Sequence, residues 1–474
     1  MANPHNDLFD YTAGRWVFND ALRHAERRLV FDVEGLRRLA AQSVGRSPDD
    51  VVNLSKLAEG GFNRIFLITL RDDFQMRSSH YGLPPFLWAA RSPGIRILAC
   101  IGQRSWNRVY LHGEVISVLR QLTQLESKMM SLSFPAGGSL YYAHDLEKVA
   151  GRAAIQLKDE RFCLGPDARL PIWYGRRSQL DVDRGPYENA EAALVAAARK
   201  ELAYLKQFGQ PLLPFRRERR DCYQYQEQWP SAHIENLERY LLMSSSLVPR
   251  DPALGHFCIR HPDLQQGNIV VRRSSDSGWQ VNHDDPVSQS MTPPSLPENI
   301  DDLDETERTA AEEVYLRRLV HYHYVTNTKE YNKLHYDAMT DPMCVLRSRL
   351  YYHAGNPREG ETLELKVALI RATERWGTLT GGSAPCPVVF DAEDVRETME
   401  LNEVQTKADK AFEVWQNMLG LGPEGWMPTQ DYEEAVALCK QMKEEALAEA
   451  KSADERAEIM AHWPWDDMDE GKYM

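Results

Sequence analysis

The stretch VVNLSKLAEGGFNRIFLITLRDDFQM, from Val51 to Met76, limits the fold more than any other part of the chain. Two runs rich in β-branched and aliphatic residues flank Gly60-Gly61, an Asp72-Asp73 pair marks a second turn, and a third run opens at Phe74. The apolar run Arg64–Leu70 and the glycine turn predict strand, hairpin, strand, turn, strand. Parallel strands need crossover connections, and no helical period interrupts this stretch. An antiparallel β-segment therefore comes first.

Helical patterns dominate elsewhere. From Trp16 to Gly45 two short ones follow each other, the second starting behind Asp32 as N-cap, with Leu36, Leu39 and Ala40 on one face. After the β-segment, helical periods cover Glu114–Leu125, Ala190–Phe208 (stopped by Gly209), Ile234–Leu247 and Glu307–Asn327, with further stretches to Leu419. A last helix starts after Thr429, with Tyr432, Val436, Cys439 and Met442 on one side, and HWPWDDMDEGKYM closes the chain as an exposed acidic tail. Arg77–His112 has neither strand alternation nor a helical period, and it crowds arginine, tryptophan and proline. Ser288–Glu305 is a connector of proline, serine and acids. The expected class is α+β: a helical extension over 1–46, a small β-rich part over 47–125, a helical part over 126–425, and a terminal helix with its tail over 426–474.

Composition excludes several functions. A net charge of −14 argues against a protein that coats nucleic acid, since phosphate backbones call for basic surfaces. Seven scattered cysteines without a CxxC pair argue for free thiols rather than a disulfide framework or a zinc site. No run approaches the ~18 apolar residues of a membrane span. The opening MANPHNDLFDYTAGRW is acidic where a transit peptide is rich in arginine, so the residues alone predict a soluble, cytoplasmic protein.

The stretch HFCIRHPDLQQGNIVVRR (256–273) carries the chemistry. Two short apolar runs, Phe257–Ile259 and Ile269–Val271, bracket a polar loop holding His261, Asp263 and Asn268. Phosphoryl transfer needs a loop whose backbone N–H groups approach phosphates, a magnesium site, and a carboxylate that orients the acceptor hydroxyl. Asp263 supplies that carboxylate, and Asn268, five residues on, supplies an amide oxygen suited to Mg²⁺. Gly60-Gly61 lies N-terminal to this loop, where a turn closing over ATP is expected. The competing structural interpretation is that His261 and Asp263 only bond the loop and Gly60-Gly61 is only a turn. Arg176-Arg177 and FRRERR (215–220) are candidate anion binders, but a basic cluster is more often a solvated face. His321 and His323, two apart on a helix, cannot share a face as metal ligands do and are expected to serve packing and surface roles.

Together, FDYTAGRWVFNDALRHAERRLVFDV, KLAEGGFNRIFLITL, SQLDVDRGPY, HPDLQQGN, DPVSQSMTPPSLPEN and LVHYHYV resemble the fungal branch of the aminoglycoside phosphotransferase family. The resemblance runs from about Asp10 to the final helix. It implies a two-lobed protein-kinase-like fold, with a small β-rich N-lobe altered at 77–113 and a larger helical C-lobe. It also implies ATP and Mg²⁺ as cofactors, a nucleotide and a small-molecule acceptor as partners, and a mitochondrial location. Asp263 becomes the catalytic aspartate, Asn268 a magnesium ligand, and Gly60-Gly61 part of the nucleotide loop. Pro262 stands where protein kinases carry the arginine that reads activation-loop phosphorylation, which favours a small acceptor.

The chain departs from this pattern twice. An Ala-Arg-Ile-Pro-like stretch with its phosphate-holding base is missing after Met76, leaving Arg77 and Arg91 as substitutes. An Asp-Trp-Gln-like turn with the second metal aspartate is missing after Val281, where only Asp284 and Asp285 stand nearby. These losses fit an incomplete gene reading or a decayed enzyme. The alternative function is therefore a catalytically inactive pseudokinase that works by binding partners in mitochondrial maintenance.

Overall fold

The computed structural model of the chain describes residues 6–59, 64–71, 75–81, 83–88, 112–147, 154–259, 292–382 and 384–474. It is mixed α+β, mostly helical, with small sheets. Two compact units are present: 1–101 with 216–226 and 404–470, and 102–215 with 227–403 and 471–474.

In the first unit, strands Val51–Glu59, Arg64–Leu70, Gln75–Tyr81 and Leu83–Trp88 form an antiparallel meander in sequence order. Two of these strands cross the opening of Arg77–His112, the segment that shows no period in the sequence. Prolines at 84 and 85 mask the pattern there, and the strand carrying them lies at the sheet's edge, where a missing N–H is tolerated. Period-two alternation on the second strand buries Phe66, Ile68 and Leu70. Against them packs helix Val33–Ser43, N-capped by Asp32 through Gly35 N at 2.9 Å, with Leu36, Ala40 and Ala41 inward. Leu39, expected on that face, is 43% exposed. The inward stripe runs through 33, 36, 40 and 41, and Leu39 lies off it.

A second core in this unit joins sequence ends. Strand Gly14–Trp16 pairs antiparallel with Trp426–Pro428. Helix Tyr432–Glu449 adds Ala435 and Cys439 beside Phe412, Trp463 and Trp465. One more helix, Ala453–His462, follows the one expected to be last.

The acidic tail is docked rather than free: Trp465, Glu470 and Tyr473 are buried, while Asp467 and Asp469 stay exposed. Asn19 N donates to Asp467 at 2.5 Å, Met468 N donates to Asn19 Oδ1 at 2.9 Å, and the buried Glu470 pairs with Arg23. Tyr473 is buried in the second unit, its hydroxyl donating to Leu213 O at 2.8 Å and its ring edge-on to Phe215 at 5.1 Å. Sequence composition sees the acids; the aromatics on either side of them, Trp463, Trp465 and Tyr473, pack the tail down.

The second unit is built on helices Ala190–Phe208, Pro230–Met243, Cys344–Gly355 and Leu363–Glu374. Leu237, Tyr240, Met243, Leu350 and Leu369 are fully buried among them. Small residues set the spacing: a Cβ at Gly355 would sit 3.1 Å from Ala197 Cβ, so the first and third helices approach closely. Helix His112–Met130 packs on the long helix Glu305–Tyr331, which opens with a capping box of Asp304 and Glu307. A three-stranded sheet holds Ser139–Tyr142, Phe162–Gly165 and Ile155–Gln156 in that order. Among the described residues, Cys163, Cys386 and Cys439 are free thiols, and no helix is long and apolar enough to cross a membrane.

Candidate functional site

Gly60, Gly61, Asp263 and Asn268 lie outside the described residues, as do Arg91, Asp284, Asp285 and the expected strand Ile269–Val271. What the structure places are the supports on either side of the two motifs.

The glycine pair sits between paired strands whose last register match is Glu59 with Arg64. This hairpin base is buried and ionic. Glu59 accepts from Lys56 Nζ at 2.9 Å, Thr12 N at 2.7 Å and Thr12 Oγ1 at 2.8 Å, and its carboxylate stands 3.5 Å from Arg64 Nε. Burial pushes the Glu59 carboxyl up, but the hydrogen bonds from Lys56 and Thr12 outweigh it and hold the group below the usual carboxylate range. Arg64 donates to Leu8 O at 3.1 Å, to Phe9 O, and to Arg27 O at 2.6 Å. Burial lowers its pKa, with Glu59 and Asp10 opposing. The N-terminal extension is thus bonded to the base of the glycine hairpin. Sequence inspection missed Glu59 and Arg64; the signal was an acid and a base flanking the turn, a charge pair that a cross-strand match brings together. Arg77 lies on the third strand opposite Leu67 and Trp88.

The second motif is led in by strand Phe257–Cys258, which pairs antiparallel with Ser133–Phe134. Its described partner is therefore a segment over 120 residues upstream. Gly137 makes room for it, since a Cβ there would lie 2.4 Å from the Phe257 ring. His256 Nδ1 contacts Ala253 O at 3.1 Å in the preceding turn.

Apart from the exposed Arg176 and the partly exposed Arg216, the arginines of the basic clusters are buried rather than a solvated face. Arg219 grips Asp409 through Nε at 2.8 Å and Nη2 at 2.9 Å, Arg217 donates to Trp463 O, and Arg220 Nη1 lies 3.1 Å from His462 Nδ1. Arg217, Arg219 and Arg220 are all buried. Arg177 is fully buried: Nε and Nη2 donate to Glu201 at 2.6 and 2.8 Å, and the guanidinium lies 3.7 Å over the Tyr204 ring. Lys200 completes this cluster at 2.7 Å from Glu201, donating also to Pro171 O at 2.7 Å and Gly355 O at 2.6 Å. Burial lowers the Lys200 pKa, against the pull of Glu201. These arginines are consumed by internal partners and hold loops to helices.

His321 is buried and His323 partly buried on their helix, in line with a packing role. Among the described residues, no group of three or more His, Cys, Asp or Glu side chains is arranged to hold a metal ion. The carboxylate and amide oxygen of Asp263 and Asn268 remain a donor set whose chemistry fits a hard cation.

The chain is distantly similar to curated fungal proteins. A subtelomeric hrmA-associated cluster protein of Aspergillus fumigatus is 23% identical over 516 aligned positions, covering 88% of this chain and 97% of that protein. The protein named altered inheritance of mitochondria protein 9, mitochondrial, matches at 20% identity in Clavispora lusitaniae, over 62% of each chain. The Saccharomyces cerevisiae protein of that name matches at 19%, over 92% of this chain and 88% of its own. No family model and no solved structure matches.

Proposed function

We propose that this chain is a mitochondrial, ATP-dependent phosphotransferase of the aminoglycoside phosphotransferase and kinase-like class, acting on a small-molecule acceptor. The observation that carries this is the spacing His261-x-Asp263-x-x-x-x-Asn268, placed directly after a short paired strand and C-terminal to a glycine hairpin with an ionic base. The names and coverage of the altered-inheritance-of-mitochondria relatives support the location. Asp263 orients the acceptor hydroxyl, Asn268 contributes an amide oxygen to the metal, and Gly60-Gly61 lets backbone N–H groups approach the phosphates. Mg-ATP, when bound, supplies the phosphoryl group and neutralises its charge.

Thermal stabilisation of the full chain by Mg-ATP tests the proposal. A ligand at a hundred times its Kd adds about 2.7 kcal/mol to the folded state. We expect stabilisation at millimolar Mg-ATP that Asn268→Ala removes, and phosphoryl transfer that Asp263→Asn abolishes. The missing Asp-Trp-Gln-like turn after Val281 favours a second function, a pseudokinase that binds partners without transfer. Stabilisation without turnover selects that function, and no stabilisation at all removes the nucleotide from both.

A further inference from the structure

The chain has 70 acids against 56 lysines and arginines, yet two adjoining hollows that share Tyr351 and Tyr352 form a surface groove in the second unit with no acid among the described residues of its lining. It runs along helix Cys344–Gly355, where Val345, Ser348, Arg349 and Tyr352 follow one another at helical spacing on one stripe. Val345 and Tyr352 are 62% and 63% exposed, and they stand on the same stripe as Arg349. At the helix's C-terminal end the stripe leads into a cleft of about 80 Å³, walled on the other side by Arg169, Pro171 and Ile172. Leu170, between two of these, is 67% exposed.

The cleft is a built feature. Lys200 holds the Pro171 and Gly355 carbonyls from below, fixing the two walls to one buried ammonium group. Arg169 is aimed by Asp167, whose Oδ2 accepts from Nε at 2.8 Å and from Nη2 at 2.6 Å and whose Oδ1 accepts from Nε at 3.1 Å, and by Nη2 donating to the Tyr351 hydroxyl at 2.7 Å. Asp167 is buried, while the Arg169 side chain stays 56% exposed. Arg349 is exposed and makes no ion pair among the described residues. Its charge is the uncompensated one on this face.

We propose that this groove docks an acidic segment of a partner protein, with aliphatic side chains on Leu170, Val345 and Tyr352, carboxylates on Arg349 and Arg169, and one small side chain in the cleft. Charge complementarity selects the occupant: paired cations and tyrosines amid exposed apolar residues recognise carboxylates beside aliphatic groups. The cleft at Pro171 and Gly355, at about 80 Å³, has room for one small side chain only. The inference does not depend on the phosphotransferase proposal.

The test uses the full chain and a fluorescein-labelled octapeptide alternating glutamate and leucine, read by anisotropy at low salt. Saturable binding is expected, weakened about tenfold by Arg349→Glu and also by Tyr352→Ser, and reduced by added salt. Both side chains are exposed, so both variants should keep the parent's melting temperature. Binding unchanged in both variants overturns the proposal. So does equal binding of a lysine–leucine peptide, or no saturation at millimolar peptide. Displacement of the peptide by inorganic phosphate or ATP reassigns the groove to a small anion and also overturns it.

Discussion

Glutamine in place of Glu201 perturbs the buried cluster at its centre. Glu201 and Arg177 expose none of their side chains and Lys200 only 1%. The carboxylate receives three donors, at 2.6, 2.8 and 2.7 Å. The substitution keeps the volume but removes the charge and turns one acceptor oxygen into a donor facing other donors. Breaking a buried ion pair costs about 3–5 kcal/mol, and hydrogen bonds to a charged group are worth roughly 1.5–3 kcal/mol each. We therefore expect about 4 kcal/mol of lost stability in the second unit. With a urea slope near ~2 kcal/mol/M, the midpoint falls by about 2 M. Hydrogen exchange of amides in the Ala190–Phe208 helix reports the same loss locally. The decisive arm is Glu201→Gln combined with Lys200→Met. Two buried cations remain in the single variant and one in the double, so the double should cost about 1–3 kcal/mol less than the two singles summed. Strict additivity, or a loss below about 1 kcal/mol for Glu201→Gln, would refute the electrostatic account.

Three further outcomes follow from other contacts. His233 is held at about 4 by burial, against the opposing pull of Glu201, from an ordinary value of 6.5. The unfolded chain binds the extra proton between those values, so stability rises with pH from about 4 to 6.5; His233→Asn should remove roughly 3 kcal/mol of acid sensitivity in unfolding followed across that window. Asp409→Ala removes the carboxylate that the buried Arg219 grips and should destabilise the first unit by about 2 kcal/mol in urea, discounted because Asp409 is 28% exposed. Tyr473→Ala removes a buried ring and its bond to Leu213 O, and should cost roughly 2–4 kcal/mol by denaturant titration; a free tail would give no change.

Much of the fold was legible locally. The helix Ala190–Phe208 covers the expected residues and stops at Gly209, and the apolar run Arg64–Leu70 is a strand. The sequence also pointed to Gly60-Gly61 as a hairpin turn, and paired strands do flank it. Its ionic base was not legible, because Thr12 and Arg27 reach Glu59 and Arg64 only after the extension folds back. Arg217, Arg219 and Arg220 look like a solvated basic face when counted as charges, yet each is buried.

The sequence by itself determined the extent of elements such as Arg64–Leu70 and Ala190–Phe208, since caps and local patterns act within a few residues. It also placed Asp263 and Asn268 at the spacing from which a phosphotransferase is proposed. Only the tertiary structure decided which partners those elements and charges meet. Arg219 pairs with a carboxylate 190 residues away, and Tyr473 docks on a carbonyl 260 residues away. A side chain's charge is written in its own position, but whether water or a buried acid balances it depends on which distant segment packs beside it.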